Sequence, residues 1–230
     1  MTESTTPILV SIEGNIGAGK SSFLHALKSA AGTELLGRQV IFLQEPVDEW
    51  QNIKDKNGVD ILTKFYGNQE EYAFKFQMMA YISRQALVRK AMRENPNSII
   101  ISERCVFTDK NVFAKMLYED NKIDEIEYKI YTNWFDEFAN ETKYDGHVYI
   151  RATPQTCYER VKKRNRNGET IPIEYLTNCH DNHDTWLTQI GSTLILNGDV
   201  DCVTEILEYE NLAEKTIDYI KTIVFCSEIR

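Results

Sequence analysis

The sequence has no surplus of basic residues and no paired cysteine motif. Lysine and arginine total 26 against 35 aspartate and glutamate residues, which gives a formal net charge of −9 at pH 7. A chain this acidic does not suit non-specific attraction to nucleic acid or to an anionic membrane, so we expect neither partner. The five cysteines are odd in number and none follows a CxxC spacing. This pattern argues against a disulfide framework and against a zinc site.

Long apolar runs are also absent. No stretch approaches the roughly 20 apolar residues that a membrane-spanning helix needs. The first residues, MTESTTP, include an acidic residue and no arginine, unlike a transit peptide. We therefore expect a cytoplasmic enzyme. A chain of 230 residues can bury a full hydrophobic core and nothing in it resembles a linker, so we expect one domain over residues 1–230.

The most informative stretch is glycine-rich and has the sequence GNIGAGKSS, from Gly14 to Ser22. It lies between an apolar run and a helix-forming segment and fits the pattern G-x-x-x-x-G-K-[ST]. Glycines let backbone N–H groups turn inward around a phosphate, and the following helix offers its positive end. Lys20 then reaches the terminal phosphates, and Ser21 offers a hydroxyl to Mg²⁺. The predicted triphosphate-binding residues in this loop are Gly14, Asn15, Ile16, Gly17, Ala18, Gly19, Lys20, Ser21 and Ser22.

Five apolar segments rich in β-branched residues are predicted to be strands. They alternate with segments of helical spacing, which indicates right-handed crossovers and a parallel sheet covered on both faces. The expected class is α/β, a three-layer α/β/α architecture with a five-stranded parallel sheet. Ligands gather at the carboxyl ends of such strands, so the residues there are the candidates for chemistry. The predicted strands cover residues 8–13, 39–44, 98–103, 147–152 and 193–197.

Phosphoryl transfer needs a clamped donor, a placed metal ion and an aligned acceptor hydroxyl. Glu45 follows the second strand and is a candidate to accept the proton of that hydroxyl. Glu103 and Arg104 come at the end of the third strand, where the carboxylate can hold a metal ion and the arginine can stabilise the transferring group. Structural alternatives are a helix-capping role for Glu45 and a buried ion pair between Glu103 and Arg104.

A dense basic run occupies residues 160–166 of this acidic chain, and an Asn-Gly pair breaks the helix after it. Its arginines, Arg160, Arg164 and Arg166, can neutralise the charge on the transferring phosphoryl group. The alternative is a solvated helix face. Two longer helices are predicted at residues 70–94 and 124–138. The second is aromatic on nearly all sides, so one of its faces can meet another subunit.

Six motifs resemble those of the deoxyribonucleoside kinases, of the deoxycytidine and deoxyguanosine kinase type. They occur in order and at suitable spacing over about residues 8–187. The resemblance implies a homodimer built on the two long helices and a mobile lid at approximately residues 160–170. The motifs are GNIGAGKSS, EPVDEW, FQ followed by ISR, SERCVFTDK, RVKKRNRNGE and IPIEYL.

The resemblance assigns roles around the reaction centre. Glu45 matches the family's catalytic base, and Lys20 and Arg104 complete the predicted catalytic set. Glu103, Arg104 and Cys105 match the family's Glu/Asp-Arg-Ser signature, but here cysteine stands in place of serine. The departure weakens any inference from that hydroxyl and leaves the carboxylate and the arginine intact, so the predicted metal ligands are Ser21 and Glu103.

The resemblance also places substrate contacts. Arg164 and Arg166 of the lid match residues near the phosphates, and Glu169 matches the residue that binds the sugar 3′-hydroxyl beside Tyr66. Gln77 matches the amide that hydrogen-bonds the base edge, for which an amide offers a donor and an acceptor side by side. The predicted substrate-binding residues are Glu45, Trp50, Tyr66, Gln77, Arg84, Arg104, Asp109, Phe113 and Glu169.

Arg84 and Asp109 carry the prediction for base preference. The resemblance implies that this charged pair belongs to members that take cytosine, adenine or guanine, whereas members that accept thymidine have smaller or apolar residues there. We therefore expect deoxycytidine, deoxyadenosine or deoxyguanosine to be favoured over thymidine. The alternative is that Arg84 makes an unrelated surface ion pair.

These residues predict an ATP- and Mg²⁺-dependent kinase that phosphorylates the 5′-hydroxyl of a deoxyribonucleoside in nucleotide salvage. The alternative enzyme is a nucleoside monophosphate kinase, whose acceptor already carries a phosphate. Glu45 separates the two, because a carboxylate helps to deprotonate a hydroxyl and repels a phosphate. A GTPase-like switch is a third hypothesis, but it needs a guanine-reading NKxD motif, and residues 52–55 have the wrong order.

Overall fold

A computed structural model describes residues 6–166 and 169–229, and its centre is a β-sheet. The strands of this sheet are β1 (Ile8–Glu13), β2 (Glu34–Leu35), β3 (Arg38–Leu43), β4 (Ile99–Glu103), β5 (Gly146–Arg151) and β6 (Thr193–Asn197). Their spatial order is β2-β3-β4-β1-β5-β6. Neighbouring strands run parallel except β2, which is antiparallel to β3. The predicted α/β fold with five parallel strands is confirmed.

The short strand β2 was missing from the sequence prediction. It pairs with β3 across a two-residue turn formed by Leu36 and Gly37, whose φ angles are 52° and 73°. Positive φ at both turn positions matches the twist of a two-residue hairpin. A strand of two residues is too short to show the period-two pattern that reveals a strand in sequence.

Helices connect these strands. They are α1 (Lys20–Ala31), α2 (Val47–Asn52), α3 (Ile61–Gly67), α4 (Gln69–Glu94), α5 (Val106–Thr108), α6 (Lys115–Glu119), α7 (Glu125–Phe138), α8 (Pro154–Arg164), α9 (Ile173–Leu187) and α10 (Ile206–Glu228). A π-helical turn covers Asp109–Ala114 and a 3₁₀ turn covers Ala139–Glu141. Within the described residues, none of the helices has the length and apolar character needed to cross a membrane.

One face of the sheet packs against α1 and α10. Val10 and Ile12 point to this side from β1, where they share a core cluster with Phe23, Leu27 and Ile220. All five side chains are almost fully removed from solvent. Because alternate residues of a strand face opposite sides, the residues between them must find a second layer of helices.

That second layer is formed chiefly by α4, with α7 outside it. Leu9 of β1 packs with Val88 of α4. Further along α4, Tyr81 contacts Tyr131 and Phe135 of α7, with ring centroids 5.8 and 5.3 Å apart. The three layers leave the carboxyl ends of the parallel strands at one edge, where the loops that follow them converge.

Candidate active site

The strand ends open into a cleft of about 600 Å³, a volume suited to a small-molecule ligand. Its lining includes every residue predicted for the site except Gly14 and Asn15. The phosphate loop, the residues that follow β3 and β4, and the basic run of α8 therefore meet around one space. The fold thus brings together the segments from which the sequence predicted the site.

The glycines of the phosphate loop occupy positions that other residues cannot take. Gly17 has a φ angle of 82°, and a Cβ there would lie 2.5 Å from the carbonyl oxygen of Cys157. Gly14 has a φ angle of 147°, and its Cβ would lie 2.7 Å from the carbonyl oxygen of Ile150. The loop thus packs tightly against β5 and α8 and keeps its turn without any side chain at these points.

Lys20 begins α1 and is buried in the loop. Its Nζ donates a hydrogen bond to the Asn15 carbonyl oxygen at 2.7 Å. Burial, reinforced by the charge of Arg104, lowers the pKa of Lys20 to about 8. The Asn15 side chain instead donates to the Leu176 carbonyl of α9 at 2.8 Å and so anchors the loop. A phosphate bound beside Lys20 would stabilise the charged form of its amino group, which burial disfavours.

Ser21 and Glu103 lie together beside the loop. The Ser21 hydroxyl donates to Oε1 of Glu103 at 2.9 Å. A hydroxyl and a carboxylate are oxygen ligands of the kind that Mg²⁺ prefers, so the pair fits this ion. Among the ion pairs of the described residues, Glu103 does not pair with Arg104, which is the alternative that the sequence left open.

Glu45 lies just beyond β3 and is held by two arginines. Arg104 Nη1 donates to both of its carboxylate oxygens, at 2.7 and 2.8 Å, and Arg84 Nη2 donates to Oε1 at 2.8 Å. Burial alone would raise the pKa of Glu45, but the two guanidinium groups and Lys20 outweigh it and lower the pKa well below its usual value. Helix α2 begins after Pro46 without a side-chain cap, so Glu45 is not a helix cap.

Arg104 reaches the cleft through an unusual backbone conformation. Its φ angle of 60° is left-handed, which is rare for a residue with a side chain. Its N–H donates to the Ile12 carbonyl at 2.9 Å and holds the chain beside β1. Such strain persists only where neighbouring contacts over-determine it, and it concentrates at functional sites.

Arg84 and Asp109 form a buried ion pair in the cleft wall. Arg84 Nε donates to Oδ2 of Asp109 at 2.9 Å, and both side chains are only 3% exposed. Arg84 Nη1 also donates to the Glu103 carbonyl at 3.1 Å. The pair is therefore internal and is not the unrelated surface contact considered as an alternative. Nearby, the buried side-chain carbonyl of Gln77 has no hydrogen-bond partner within the described residues.

Aromatic side chains form the apolar part of the lining. The Trp50 ring meets Phe76 edge-on with centroids 5.4 Å apart, and Phe65 stacks on Phe76 at 4.7 Å. Phe113 lies beneath the Arg104 guanidinium, 5.2 Å from it. These flat surfaces suit a heterocyclic base, which favours stacking on aromatic rings.

The segment predicted to be a lid, residues 160–170, contributes an ion pair to the cleft. Arg164 Nη2 donates to both carboxylate oxygens of Glu169, at 2.7 and 2.6 Å. Glu169 is 3% exposed, and it lines the cleft together with Tyr66 and Arg166. Residues 167 and 168, in the middle of the predicted lid, lie outside the described residues.

Arg160 lines the cleft, but its guanidinium is hydrogen-bonded to backbone carbonyl groups. Its guanidinium donates to the carbonyl oxygens of Ala18 at 3.2 Å, Gly198 at 2.7 Å, Asp199 at 3.4 Å and Val200 at 3.0 Å. It therefore ties the phosphate loop to the segment that follows β6. In this arrangement Arg160 shapes the donor end of the cleft through the backbone.

Sequence analysis missed two parts of the lining. One is the segment after β6, which the strand-end rule would have found had it been applied to the fifth strand. The other is the aromatic wall contributed by α3 and α4, for which the sequence pattern gave no signal of a binding role. The missed lining residues include Leu62, Phe65, Phe76, Tyr175, Gly198, Val200, Asp201, Cys202 and Tyr209.

The site combines a glycine loop shaped for phosphate with a buried lysine at the start of α1 and a carboxylate in the same cleft. Together these features define a P-loop phosphotransferase. The family model described as deoxynucleoside kinase matches residues 10–225. The chain therefore belongs to the deoxynucleoside kinase family, as its motifs predicted.

Curated relatives agree with this assignment. The human deoxycytidine kinase is 33% identical over 252 residues, covering 96% of this chain and 94% of that protein. A probable deoxycytidine kinase of fowlpox virus is 34% identical, covering 92% and 87%. The mitochondrial deoxyguanosine kinase of Xenopus laevis is 33% identical, covering 78% and 73%. The predicted enzyme class, a kinase, is thereby confirmed.

Proposed function

We propose that the protein transfers the γ-phosphoryl group of ATP to the 5′-hydroxyl of a deoxyribonucleoside, forming the 5′-monophosphate in nucleotide salvage. The observation that carries the proposal is Glu45, which lies in the same cleft as the phosphate loop between two arginines. A carboxylate there suits an acceptor whose reacting group is a hydroxyl, and it repels an acceptor that already carries a phosphate. The alternative of a nucleoside monophosphate kinase is therefore not favoured.

Glu45 aligns the acceptor. As an anion, it accepts a hydrogen bond from the 5′-hydroxyl and orients that oxygen toward the phosphate loop. Its lowered pKa makes it a weak base, so it takes the proton only when the new oxygen–phosphorus bond has begun to form. This order suits phosphoryl transfer, whose transition state is loose and gains little from early deprotonation.

The cationic side chains stabilise the transferring group. Lys20 holds the terminal phosphates, and Arg104 lies beside Glu45, where negative charge builds up on the oxygens in the transition state. Arg164 and Arg166 supply further positive charge from the lid. Closure of the lid excludes water from the activated phosphate and so prevents its loss by hydrolysis.

Ser21 and Glu103 are the residues proposed to hold Mg²⁺. Bound there, the ion would supply positive charge that offsets the negative charge of the phosphates. The 2.9 Å contact between the Ser21 hydroxyl and the Glu103 carboxylate supports the choice, because it gathers two oxygen donors next to the phosphate loop.

The proposed base preference rests on the pair of Arg84 and Asp109. Asp109 is held by Arg84 and can accept a hydrogen bond from an exocyclic amino group, which cytosine, adenine and guanine carry and thymine lacks. Gln77 offers a buried carbonyl that needs a donor. Asp109 therefore favours bases with an amino group over thymine, whereas Gln77 can accept from any base that has a donor on its edge.

The base preference is tested by comparing kcat/KM for deoxycytidine, deoxyadenosine, deoxyguanosine and thymidine in the wild type and in the double variant Arg84→Met with Asp109→Ala. Because Arg84 also contacts Glu45, turnover should fall for every substrate, so the informative quantity is the ratio of thymidine to deoxycytidine. We expect this ratio to rise about tenfold or more, since one good base contact is worth about 1–3 kcal/mol. Arg89→Met, at an exposed position of α4, is the control. An unchanged ratio would exclude the pair from base selection.

We also propose that two chains associate through α4 and α7. Helix α7 carries an apolar stripe of Ile126, Ile130 and Trp134, which are spaced four residues apart and are 71%, 40% and 52% exposed. Ile82 of α4 is 55% exposed. Exposed apolar side chains on two neighbouring helices suit a partner helix pair.

A further inference from the structure

A second group of polar side chains lies inside the core and outside the cleft. Glu13 ends β1, Cys105 follows β4 and His147 lies near the start of β5. One ligand atom from each of these residues lies within 4.8 Å of the other two. Glu13 and Cys105 are fully buried and His147 is 6% exposed. None of the three belongs to the lining of the cleft.

Glu13 is a buried acidic side chain that forms no ion pair with a lysine, an arginine or a histidine of the described residues. Its Oε2 accepts a hydrogen bond from the Thr108 hydroxyl. Its Oε1 is buried and has no nitrogen or oxygen donor among the described residues, and only the Cys105 thiol lies against the carboxylate as a further, weak donor. Burying a carboxylate is costly unless a cation or a full set of hydrogen bonds compensates for the loss of water. The free oxygen therefore marks a place where a positively charged ligand would be stabilised.

The three donors are of the types that bind a transition metal. Cysteine sulfur, histidine nitrogen and a carboxylate oxygen are the ligands that Zn²⁺ uses in proteins, whereas Mg²⁺ avoids thiolates. Three protein ligands and one further donor complete a tetrahedral site. The Ser11 hydroxyl lies 2.8 Å from Nδ1 of His147 and orients the imidazole ring.

The three donor atoms are close enough together to reach one ion. Three atoms within 4.8 Å of one another share a point no more than about 2.8 Å from each, which is 4.8 Å divided by the square root of three. Zinc-to-ligand distances are about 2.0–2.3 Å. Side-chain movements well below 1 Å would therefore bring the donors into coordination.

We propose that Glu13, Cys105 and His147 bind Zn²⁺ and that the ion joins β1, β5 and the chain after β4 next to Arg104. The absence of CxxC spacing, which argued against a zinc site in the sequence, does not bear on this one. Its ligands come from three segments far apart in the chain, and only the sheet brings them together.

The test measures metal in the full chain, purified without chelator or histidine tag, by elemental mass spectrometry. We expect about one zinc ion per chain in the wild type and in Cys179→Ser, whose cysteine is equally buried but lies on α9. Cys105→Ser should lose the metal. Substitution of residues that merely support a ligand weakens metal binding about 10–100-fold, so loss of a ligand should weaken it by at least about tenfold.

Cobalt gives an independent readout. After removal of zinc, Co²⁺ should produce a thiolate-to-cobalt absorption band in the wild type and in Cys179→Ser, and none in Cys105→Ser. A wild type without zinc and without this band would overturn the proposal, as would equal Co²⁺ binding by Cys105→Ser, which would indicate a surface site. His147→Gln replaces Cys105→Ser if circular dichroism shows that the serine variant does not fold.

Discussion

Among single residues, Glu45 has the most unusual environment, because two buried arginines contact its carboxylate directly. The pair holds Glu45 ionised and fixes the direction of its oxygens. Each arginine also has a second contact or proposed role, since Arg84 pairs with Asp109 and Arg104 is proposed to stabilise the transferring group. The residues proposed to select the base and those proposed to assist the chemistry are thus joined through one carboxylate.

Glu45→Gln tests this role. The amide keeps the shape of the side chain but removes its negative charge and its ability to take a proton. We expect turnover to fall by roughly 10²–10⁴-fold, the usual contribution of a general base, with nearly unchanged ATP affinity. Steady-state kinetics and ATP titration measure the two quantities. Glu49→Gln, at an exposed position of α2, is the control, and unchanged turnover in Glu45→Gln would remove Glu45 from the mechanism.

Lys20 predicts a pH dependence. Burial lowers its pKa to about 8, so the free enzyme carries a charged Lys20 below that pH and a neutral one above it. Raising the pH through about 8 removes the charge that attracts the phosphates, and kcat/KM for ATP should then decline. Lys20→Arg keeps its charge over this range, so its lower kcat/KM should not show the same inflection. A wild-type profile that stays level beyond about pH 9 would contradict the prediction.

The sequence was most informative about residues whose chemistry is unusual for their position. Lys20, Glu45 and Glu103 stood out because a charged side chain follows a buried strand or a glycine turn. The role of Arg160 could not be predicted in the same way, because its four partners are backbone carbonyls from distant segments. Every residue has a backbone carbonyl, so the sequence does not reveal which residues Arg160 contacts.

Among the elements, the π-helical turn Asp109–Ala114 shows what periodicity cannot predict. It follows the short helix α5 directly and carries both Asp109 and Phe113 to the cleft. A widened helical turn of this kind is rare and is often found at functional sites. Its residues have no pattern that separates them from an ordinary α-helix, so their roles could be predicted only through resemblance.

The apolar stripe on α7 predicts the mode of association. We expect the wild type to sediment as a dimer, and Trp134→Glu to shift it to the monomer, because the substitution places a charge on the apolar stripe. Leu207→Glu is the matched control, since Leu207 is 83% exposed but lies on α10. Analytical ultracentrifugation measures the mass. Dimers that persist in Trp134→Glu would show that another surface is used.

Across the whole molecule, the order of apolar segments was sufficient to predict the five parallel strands of the sheet, because buried parallel strands are continuous hydrophobic runs. The matched family covers residues 10–225, nearly the full length of the chain. The single-domain organisation stays a prediction. Burial of Glu13, Cys105 and His147 in one place could not be predicted, because their proximity arises only when β4 and β5 pair with β1 on either side.

The whole molecule also presents a cleft that combines Glu45 with the phosphate loop, and the nature of the acceptor follows from that arrangement. The most direct test is a coupled ADP-release assay with the four deoxynucleosides and their 5′-monophosphates as acceptors. We predict ATP-dependent turnover of the deoxynucleosides, led by those with an amino-bearing base, and none of the monophosphates. Turnover of monophosphates in place of nucleosides would contradict the role of Glu45 and the proposed reaction.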